Sequence, residues 1–520
     1  MRRVDTTLIA KIAMLPAVLL TGVCLAQNNY VTFELDRENN WERLITEDVN
    51  GDGAKDLIFS HYDSAIGREL HIHHQQEDGN FATTPQRVEI KTEIIAVAFA
   101  DLRSDPGKEL VLLANNGVFS LSTAVEGYTG NIKLLFQWDL VAAIPDQEEV
   151  EFLNSIEDIN GDGEIDFLLP GQEAFGFFAG KGNEQFELVT TIQTINENLT
   201  VAQRNNQEAD LSASIEINPD KGVTVELRAE TPSPFTGFIE TWEPKSTDSR
   251  ALLRTANWMP TALLAELNGD ELKDLIYLNV GDDGLGQLNI HYQDISSGFS
   301  KNANWKGSME SRGDIRLVDV NNDGYQDLLR LTGEGNEWDA RFYLNSSGKF
   351  DLQQPNQIMR FSGYDVRLEF VDLAYEDKPV LNVSYYTIPV VDAIRNASIN
   401  RTQLLYSTAS AEPGQLFARR PNSRLEESFS AANVRSLSEQ MSLQYDVDGD
   451  GTNDALYITE HGTLAAKKID AQLQIGDTPF WEYVSPRSVF EFEVLTLNSD
   501  SIPDLVLRHG TTTSLLVGAP

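Results

Sequence analysis

The chain has 520 residues, 41% of them hydrophobic, and its 40 basic and 80 acidic side chains give a formal charge of −40. So acidic a surface disfavours nucleic acid and anionic membranes as partners, and a single cysteine, Cys24, excludes a disulfide framework. Part of the charge is available as ligand for cations; a salty or calcium-rich habitat accounts equally well for the rest.

Arg2, Arg3 and Lys11 precede an apolar stretch from Ile12 to Val23, and Leu25-Ala26 stands before Gln27. This predicts a secretory signal peptide, residues 1–26, cleaved after Ala26. Val23 before Cys24 argues against lipidation, which wants a small residue there. Removing three basic residues and one acidic residue leaves 37 − 79 = −42 and a cysteine-free chain. No later stretch approaches the roughly 18 apolar residues of a membrane span. The expectation is an exported monomer, secreted or periplasmic, with residues 27–520 as one domain. Its 520 − 26 = 494 residues exceed a usual single core, a limit that a closed ring of repeats evades.

A lone strand, Tyr30 to Leu35, and a second, Glu42 to Glu47, lead to the first of five acidic nonapeptides, each followed by an apolar run. They start at Asp48, Asp158, Glu266, Asp319 and Asp446. Ca²⁺ takes six to eight hard oxygen ligands at roughly 2.3–2.6 Å. Positions 1, 3, 5 and 9 of the motif supply side-chain oxygens, and position 7 (Ala54, Glu164, Leu272, Tyr325, Thr452) can add a backbone carbonyl. Gly at position 6 permits the turn, because it takes positive φ freely. An EF-hand is excluded: it needs a bidentate Glu at position 12, where this chain has Phe59, Leu169, Arg330 or Tyr457 inside strand-like runs.

Weaker registers begin at Asp101, Asp372 and Thr496, so successive starts at 48, 101, 158, 266, 319, 372, 446 and 496 are 53, 57, 108, 53, 53, 74 and 50 residues apart. The period is about 53 residues. One unit reads as Ile94 to Ala100, the acidic loop, Glu109 to Asn115, an Asn116-Gly117 turn, Val118 to Thr123 and Leu134 to Asp139. Four short antiparallel strands per unit predict an all-β, closed β-propeller of eight blades, with seven or nine open. The interval of 108 holds either a degenerate unit at Glu216 to Thr224 or an inserted hairpin within about 200–245, turned at Asp220-Lys221-Gly222; the hairpin is preferred. The 74-residue spacing suggests a loop insertion at about 395–433. The last unit shows three strands, so the N-terminal strand is expected to complete it and close the ring, leaving no bare sheet edge.

With these loops ahead of hydrophobic strands at this period, the chain resembles the FG-GAP and VCBS-repeat proteins, whose propeller is like the integrin α-subunit head. The Phe-Gly and Gly-Ala-Pro words of the integrin form are out of register, Gly518-Ala519-Pro520 falling well beyond its motif, so integrin-like ligand recognition is not implied. The resemblance implies about four to six structural Ca²⁺ ions. The ligands would be Asp48, Asn50, Asp52 and Asp56; Asp158, Asn160, Asp162 and Asp166; Asp319, Asn321, Asp323 and Asp327; and Asp446, Asp448, Asp450 and Asp454. Glu266, Asn268, Asp270 and Asp274 form a fifth set without the Gly, and Thr496, Asn498, Asp500 and Asp504 a sixth in which a hydroxyl replaces the first carboxylate. In the second register Arg103 is expected to replace the ion between Asp101, Asp105 and Glu109, and the loop from Asp372 to be empty.

His61, His71, His73 and His74 crowd one blade; a transition-metal site needs a third ligand in correct geometry, so they read as outer-strand surface histidines. Arg312-Gly313-Asp314 reads as a turn before Ile315 to Val318, not an adhesion signal. The tryptophans, 41, 138, 242, 258, 305, 338 and 481, read as packing between blades, with room for one or two to stack on sugars. GxSxG, HExxH, a phosphate loop and an aspartate box ending in Trp are all missing, so no catalytic residue is assigned. The expected function is a non-enzymatic calcium-binding scaffold or adhesion module for a protein or polysaccharide. A lectin, or a polysaccharide lyase or hydrolase with a deep axial pocket, stands as the alternative.

Overall fold

The structure is a computed structural model. It describes residues 30–36, 43–194, 212–218, 222–228, 237–243, 253–388, 398–430 and 441–518, less single positions and short loops such as 123–127 and 281–284. Residues 1–29, Arg312 and the side chains of Trp41, Trp242 and Trp258 lie outside the described residues, and with them the expected signal peptide. Among the described residues no helix is long and apolar enough to cross a membrane.

Eight antiparallel sheets make eight blades, each running outward from the ring axis in chain order. Blade one is Leu44–Glu47, Asp56–Asp63, Gly67–His73 and Gln86–Ile90. Blade two is Ile94–Ala100, Glu109–Ala114, Gly117–Leu121 and Lys133–Gln137. Blade three has Phe167–Pro170, Ala174–Gly180 and Phe186–Gln193, with a single bridge, Glu157 to Asp166, where its inner strand would stand. Blades four to seven have second strands Asp274–Val280, Asp327–Glu334, Val380–Thr387 and Asp454–Ile458. Blade eight is Glu491–Leu495, Asp504–Arg508 and Thr512–Gly518, completed by the N-terminal strand Tyr30–Asp36.

That last pairing closes the ring as expected, in the register Tyr30↔Gly518 to Asp36↔Thr512. The Tyr30 ring also packs 5.4 Å from that of Trp481, carrying the closing strand onto blade seven. The strands of the long interval pair within themselves, Ser212–Asn218 with Gly222–Arg228 and Gly237–Glu243 with Leu253–Met259. The span 395–433 differs from the loop expected there. Ser398–Tyr406 and Ser423–Ser430 are the third and fourth strands of blade six, and polar residues on both hid the alternation from a reading by apolar runs.

Why the apolar run follows each acidic loop is now plain. Those residues form the second strand, which neighbouring blades cover on both faces, so Leu57, Ile58 and Phe59, like Leu505, Val506 and Leu507, are buried together. Outer strands face solvent on one side and alternate, as in Gln86–Ile90 and Gln357–Ser362. Among the described residues eight apolar clusters lie one at each blade junction, from Ile58 with Val97 round to Phe59 with Val506. The ring therefore has no single core to outgrow.

Inner strands are half-exposed, as in Glu491–Leu495 and Asp314–Val318, because they line an open axis. Blade two is the exception: Ile94–Ala100 is buried throughout. The connector at 150–153 runs beside it in parallel, pairing Phe152 with Val97, and caps it from the axis.

Deleting residues 30–36 should expose the edge of Thr512–Gly518 and the blade-seven face under Tyr30. Calorimetry and size-exclusion chromatography should then show a lower, broader melt with self-association; an unchanged sharp melt would contradict closure.

Candidate cation loops and the axial cleft

Each acidic loop joins an inner strand to a second strand, so all lie on one face of the ring. They are stitched into an annulus. Lys108 pairs with Glu47 of the preceding blade and Lys273 with Glu157, while the Asn453 amide donates to the Asp372 carbonyl at 3.1 Å.

The loops share one internal geometry. Position 6 has positive φ: Gly53 (87°), Gly163 (89°), Gly324 (89°) and Gly451 (88°), with Glu271 taking the same conformation at 68°. Position 4 does too, at Gly51 (75°), where a Cβ would meet the Gly107 backbone of the next loop. In blades one, three and seven the position 1 carboxylate accepts N–H bonds from positions 4, 5 and 6, as Asp48 does from Gly51 (2.8 Å), Asp52 (3.2 Å) and Gly53 (2.9 Å), whereas the longer Glu266 accepts from Asn268 (2.8 Å) and Gly269 (2.6 Å). The position 7 residues Ala54, Glu164, Leu272, Tyr325 and Thr452 donate their N–H groups to the position 5 aspartates at 2.8–3.0 Å.

Position 9 has a role that the spacing did not disclose. It is buried in seven blades, as Asp56, Glu109, Asp166, Asp274, Asp327, Asp454 and Asp504. One oxygen accepts the N–H of position 2, from Ile159 (2.9 Å), Val320 (3.1 Å) or Val447 (2.9 Å). The other accepts an N–H from the chain at or after the third strand, such as Gly180 (2.9 Å), Gln293 (3.0 Å) or Asn345 (2.7 Å). Burial pushes Asp274 up to about 7, and Asp327 and Asp454 to about 6, with acidic neighbours adding to each.

Do these residues fit a divalent cation? In blade four they do: Glu266 Oε2 and Asp274 Oδ2 are buried without a hydrogen-bond partner, and an oxygen so placed wants a cation. The loops of blades one, three and five carry three carboxylates and an amide in the same fold. In blade seven the ligand atoms of Asp446, Asp448 and Asp454 lie within 4.8 Å of one another, and a lysine has been drawn in among them. The Lys468 ammonium lies 2.8 Å from Asp448 Oδ1, 2.7 Å from Asp450 Oδ2 and 3.1 Å from Asp454 Oδ1, where an ion would sit. Lys468 pairs with Asp454 across the strands, a neighbour invisible to a motif that ends at position 9. The corresponding position in blade one is His74, whose Nδ1 is 3.0 Å from Asp56 Oδ2; hydrogen bonding to Asp56 raises its pKa.

Arg103 is only partly where expected. It bonds Asp105 at 2.7 Å but reaches toward Glu184 of blade three (4.0 Å), while Glu109 serves as the position 9 clamp on Leu102. In blade eight the Asn498 amide turns onto the Gly518 carbonyl at 3.0 Å. Asp314 begins the inner strand of blade five with its carboxylate held by Arg316, after the turn at Gly313. His71 and His73 are buried, not on the surface, because they lie on the third strand rather than the outer one.

At the axis, a cleft of about 710 Å³ lies against the inner strands of blades five, six and seven. Arg316, Arg367, Glu369, Asn382, Ser384 and Gln444 give it a polar wall. Arg316 is fixed by Asp314 (2.7 Å) and by the Leu368 carbonyl (3.3 Å), and Arg367 by Asp365 (3.1 Å). Glu369 accepts from Asn382 at 2.9 Å, and burial raises its pKa. Of the tryptophans with described side chains, 138, 305, 338 and 481 all pack against protein, and none lines the cleft.

No family model and no curated protein matches the chain. Among solved structures it is similar to an Agrocybe aegerita lectin described as recognising non-reducing terminal N-acetylglucosamine, at 14% identity and TM-score 0.26, over 64% of this chain and 81% of that one. It is also similar to an exotype rhamnogalacturonan lyase, YesX, at 13% identity and TM-score 0.37, over 94% of this chain and 72% of that one. Likenesses this loose carry no argument; the propeller rests on the chain's own sheets.

Two variants probe the loops. Gly53→Ala has open space around its new methyl, so its cost is the left-handed backbone alone, about 1–2 kcal/mol by denaturant unfolding. Lys468→Met should leave an uncompensated acidic cup, lowering the melting temperature in chelator and adding one calcium equivalent in calorimetric titration.

Proposed function

We propose that the chain is an exported, calcium-stabilised β-propeller of the FG-GAP/VCBS kind, acting as a non-enzymatic binding or scaffold module with its ligand seated in the axial cleft. The observation that carries the calcium reading is the orphaned pair of buried oxygens in blade four, Glu266 Oε2 and Asp274 Oδ2, in a donor set repeated in blades one, three and five. Bound there, Ca²⁺ would neutralise carboxylates that burial and crowding otherwise oppose, fastening inner to second strand. The holding residues would be Asp48, Asn50, Asp52 and Asp56 and their counterparts from Asp158, Glu266 and Asp319.

For the ligand, the cleft offers guanidiniums, amides and hydroxyls already oriented by their neighbours, which lowers the ordering cost of binding. That chemistry suits a hydroxyl-rich or acidic sugar chain, or a polar protein loop. A second reading, a polysaccharide lyase or hydrolase, is favoured by one feature. Glu369, its pKa raised by burial, stands at the axis with Arg316 and Arg367 outside every acidic motif, an environment that suits a general acid.

Extracellular calcium modules bind at roughly 10⁻⁴ to 10⁻³ M, so at about 10 mM calcium each site should add about 1.4–2.7 kcal/mol. Chelation should lower the melting temperature, and Asp323→Asn, which leaves the buried Asp327 clamp in place, should remove one site's share; a chelator-blind melt would refute the calcium reading. Glycan-array binding and a polysaccharide-degradation screen, each with Arg316→Ala, separate the two roles: retention without product supports the module, product formation the enzyme.

A further inference from the structure

We propose that His61, Glu69 and His71 form a second kind of metal site, one for a divalent transition ion of the zinc class, within blade one. The three residues lie on the adjacent strands Asp56–Asp63 and Gly67–His73, with His61 directly opposite Glu69 and Phe59 opposite His71. Residues two apart share a face of a strand, so all three look the same way, toward blade eight, as Phe59 does in packing with Val506 and Leu515. Their ligand atoms all lie within 4.8 Å of one another. His71 Nε2 is 3.2 Å from Glu69 Oε2, and the two imidazoles stack with centroids 4.1 Å apart and planes 28° from parallel.

Burial and charge make this more than a row of polar side chains. Glu69 is 5% exposed and His71 7%, so two of the three donors are held away from water and close to one another. One dication shared by the three groups balances the carboxylate and leaves both rings neutral, the form that ligates metal. Two imidazoles and a carboxylate are the donors zinc takes at roughly 2.0–2.2 Å. Drawing them onto one ion contracts the cluster to ligand separations of roughly 3.3 Å, as tetrahedral geometry requires. His61, half-buried near the strand's end, is the group with room to turn.

The cluster also has an approach from solvent and is separate from the acidic loops. His61 is itself half-exposed near the end of its strand, and Ile66 in the turn beyond it is 49% exposed. Three protein donors leave a coordination position for water, the arrangement of an accessible site rather than a closed structural one. His61 lies five residues along the strand from Asp56, roughly 16 Å away. The loop's oxygens suit hard Ca²⁺, whereas imidazole nitrogens select softer ions.

The test uses the full exported chain without a polyhistidine tag and saturated with calcium, titrated with Co²⁺ and with Zn²⁺. Expected are one Zn²⁺ equivalent by calorimetry, the visible absorption of tetrahedral Co²⁺, and a zinc-dependent rise in melting temperature. His61→Ala and His71→Ala should each weaken binding at least about tenfold, and His461→Ala, in blade seven and outside the cluster, should change nothing. Glu69→Gln should weaken binding as well, and if that variant does not fold, His61→Ala at its half-exposed position still decides. A wild type without the Co²⁺ band, or a His61→Ala variant that binds Zn²⁺ as the wild type does, overturns the proposal.

Discussion

The interaction on which the rest depends is the buried carboxylate at the end of each acidic loop. Its oxygens hold the loop's second N–H and, in most blades, an N–H from the chain after the next strand but one, so one side chain locks three strands of a blade in register. A buried carboxylate satisfied by backbone donors is expensive to unmake, because losing it strands those donors away from water. The strands of a blade therefore stay in register whichever group its acids are paired with. In blade two Arg103 pairs with Asp105 and reaches toward Glu184, yet the Leu102 N–H still donates to Glu109 and the blade keeps its four strands.

The clamp creates an electrostatic problem that the blades solve differently. Several acids crowd a turn whose last member is buried, and their charge must be met. In blade seven Lys468 supplies a tethered ammonium to three carboxylates. Blade one brings His74 to Asp56, and blade two sends Arg103 across the junction toward Glu184, which Lys133 also holds at 2.6 Å. Blades two and four each still leave two buried oxygens without a partner, Asp105 Oδ2 with Glu109 Oε1 and Glu266 Oε2 with Asp274 Oδ2. The ring thus carries, on one face, a graded series from loops whose acids are paired with a basic side chain to loops that leave buried oxygens unpartnered.

Functional asymmetry arises at the axis. Eight like blades would leave eight like inner strands around a channel, but the connector at 150–153 covers blade two and leaves blades five to seven facing the cleft. Binding surface on a propeller comes from such departures from the repeat, since the repeat itself spends its side chains on blade-to-blade packing.

Much of this was legible in the chain alone. The nonapeptide's period gave eight units, the apolar runs after it marked the doubly covered second strands, and the three-stranded last unit called for Tyr30–Asp36 to close the ring. These features are local or periodic, and local chemistry writes them directly: glycine where φ is positive, alternation where one face is wet. Cross-strand and cross-blade neighbours were decided by tertiary structure, because pairing register brings together residues with no fixed spacing. Lys468 stands 14 residues beyond Asp454 and fills its cup, Glu184 draws Arg103 from 81 residues away, and Glu69 comes opposite His61 only once the hairpin between them is formed. A motif can specify which oxygens a turn presents; only the folded ring determines which positive charge reaches them first.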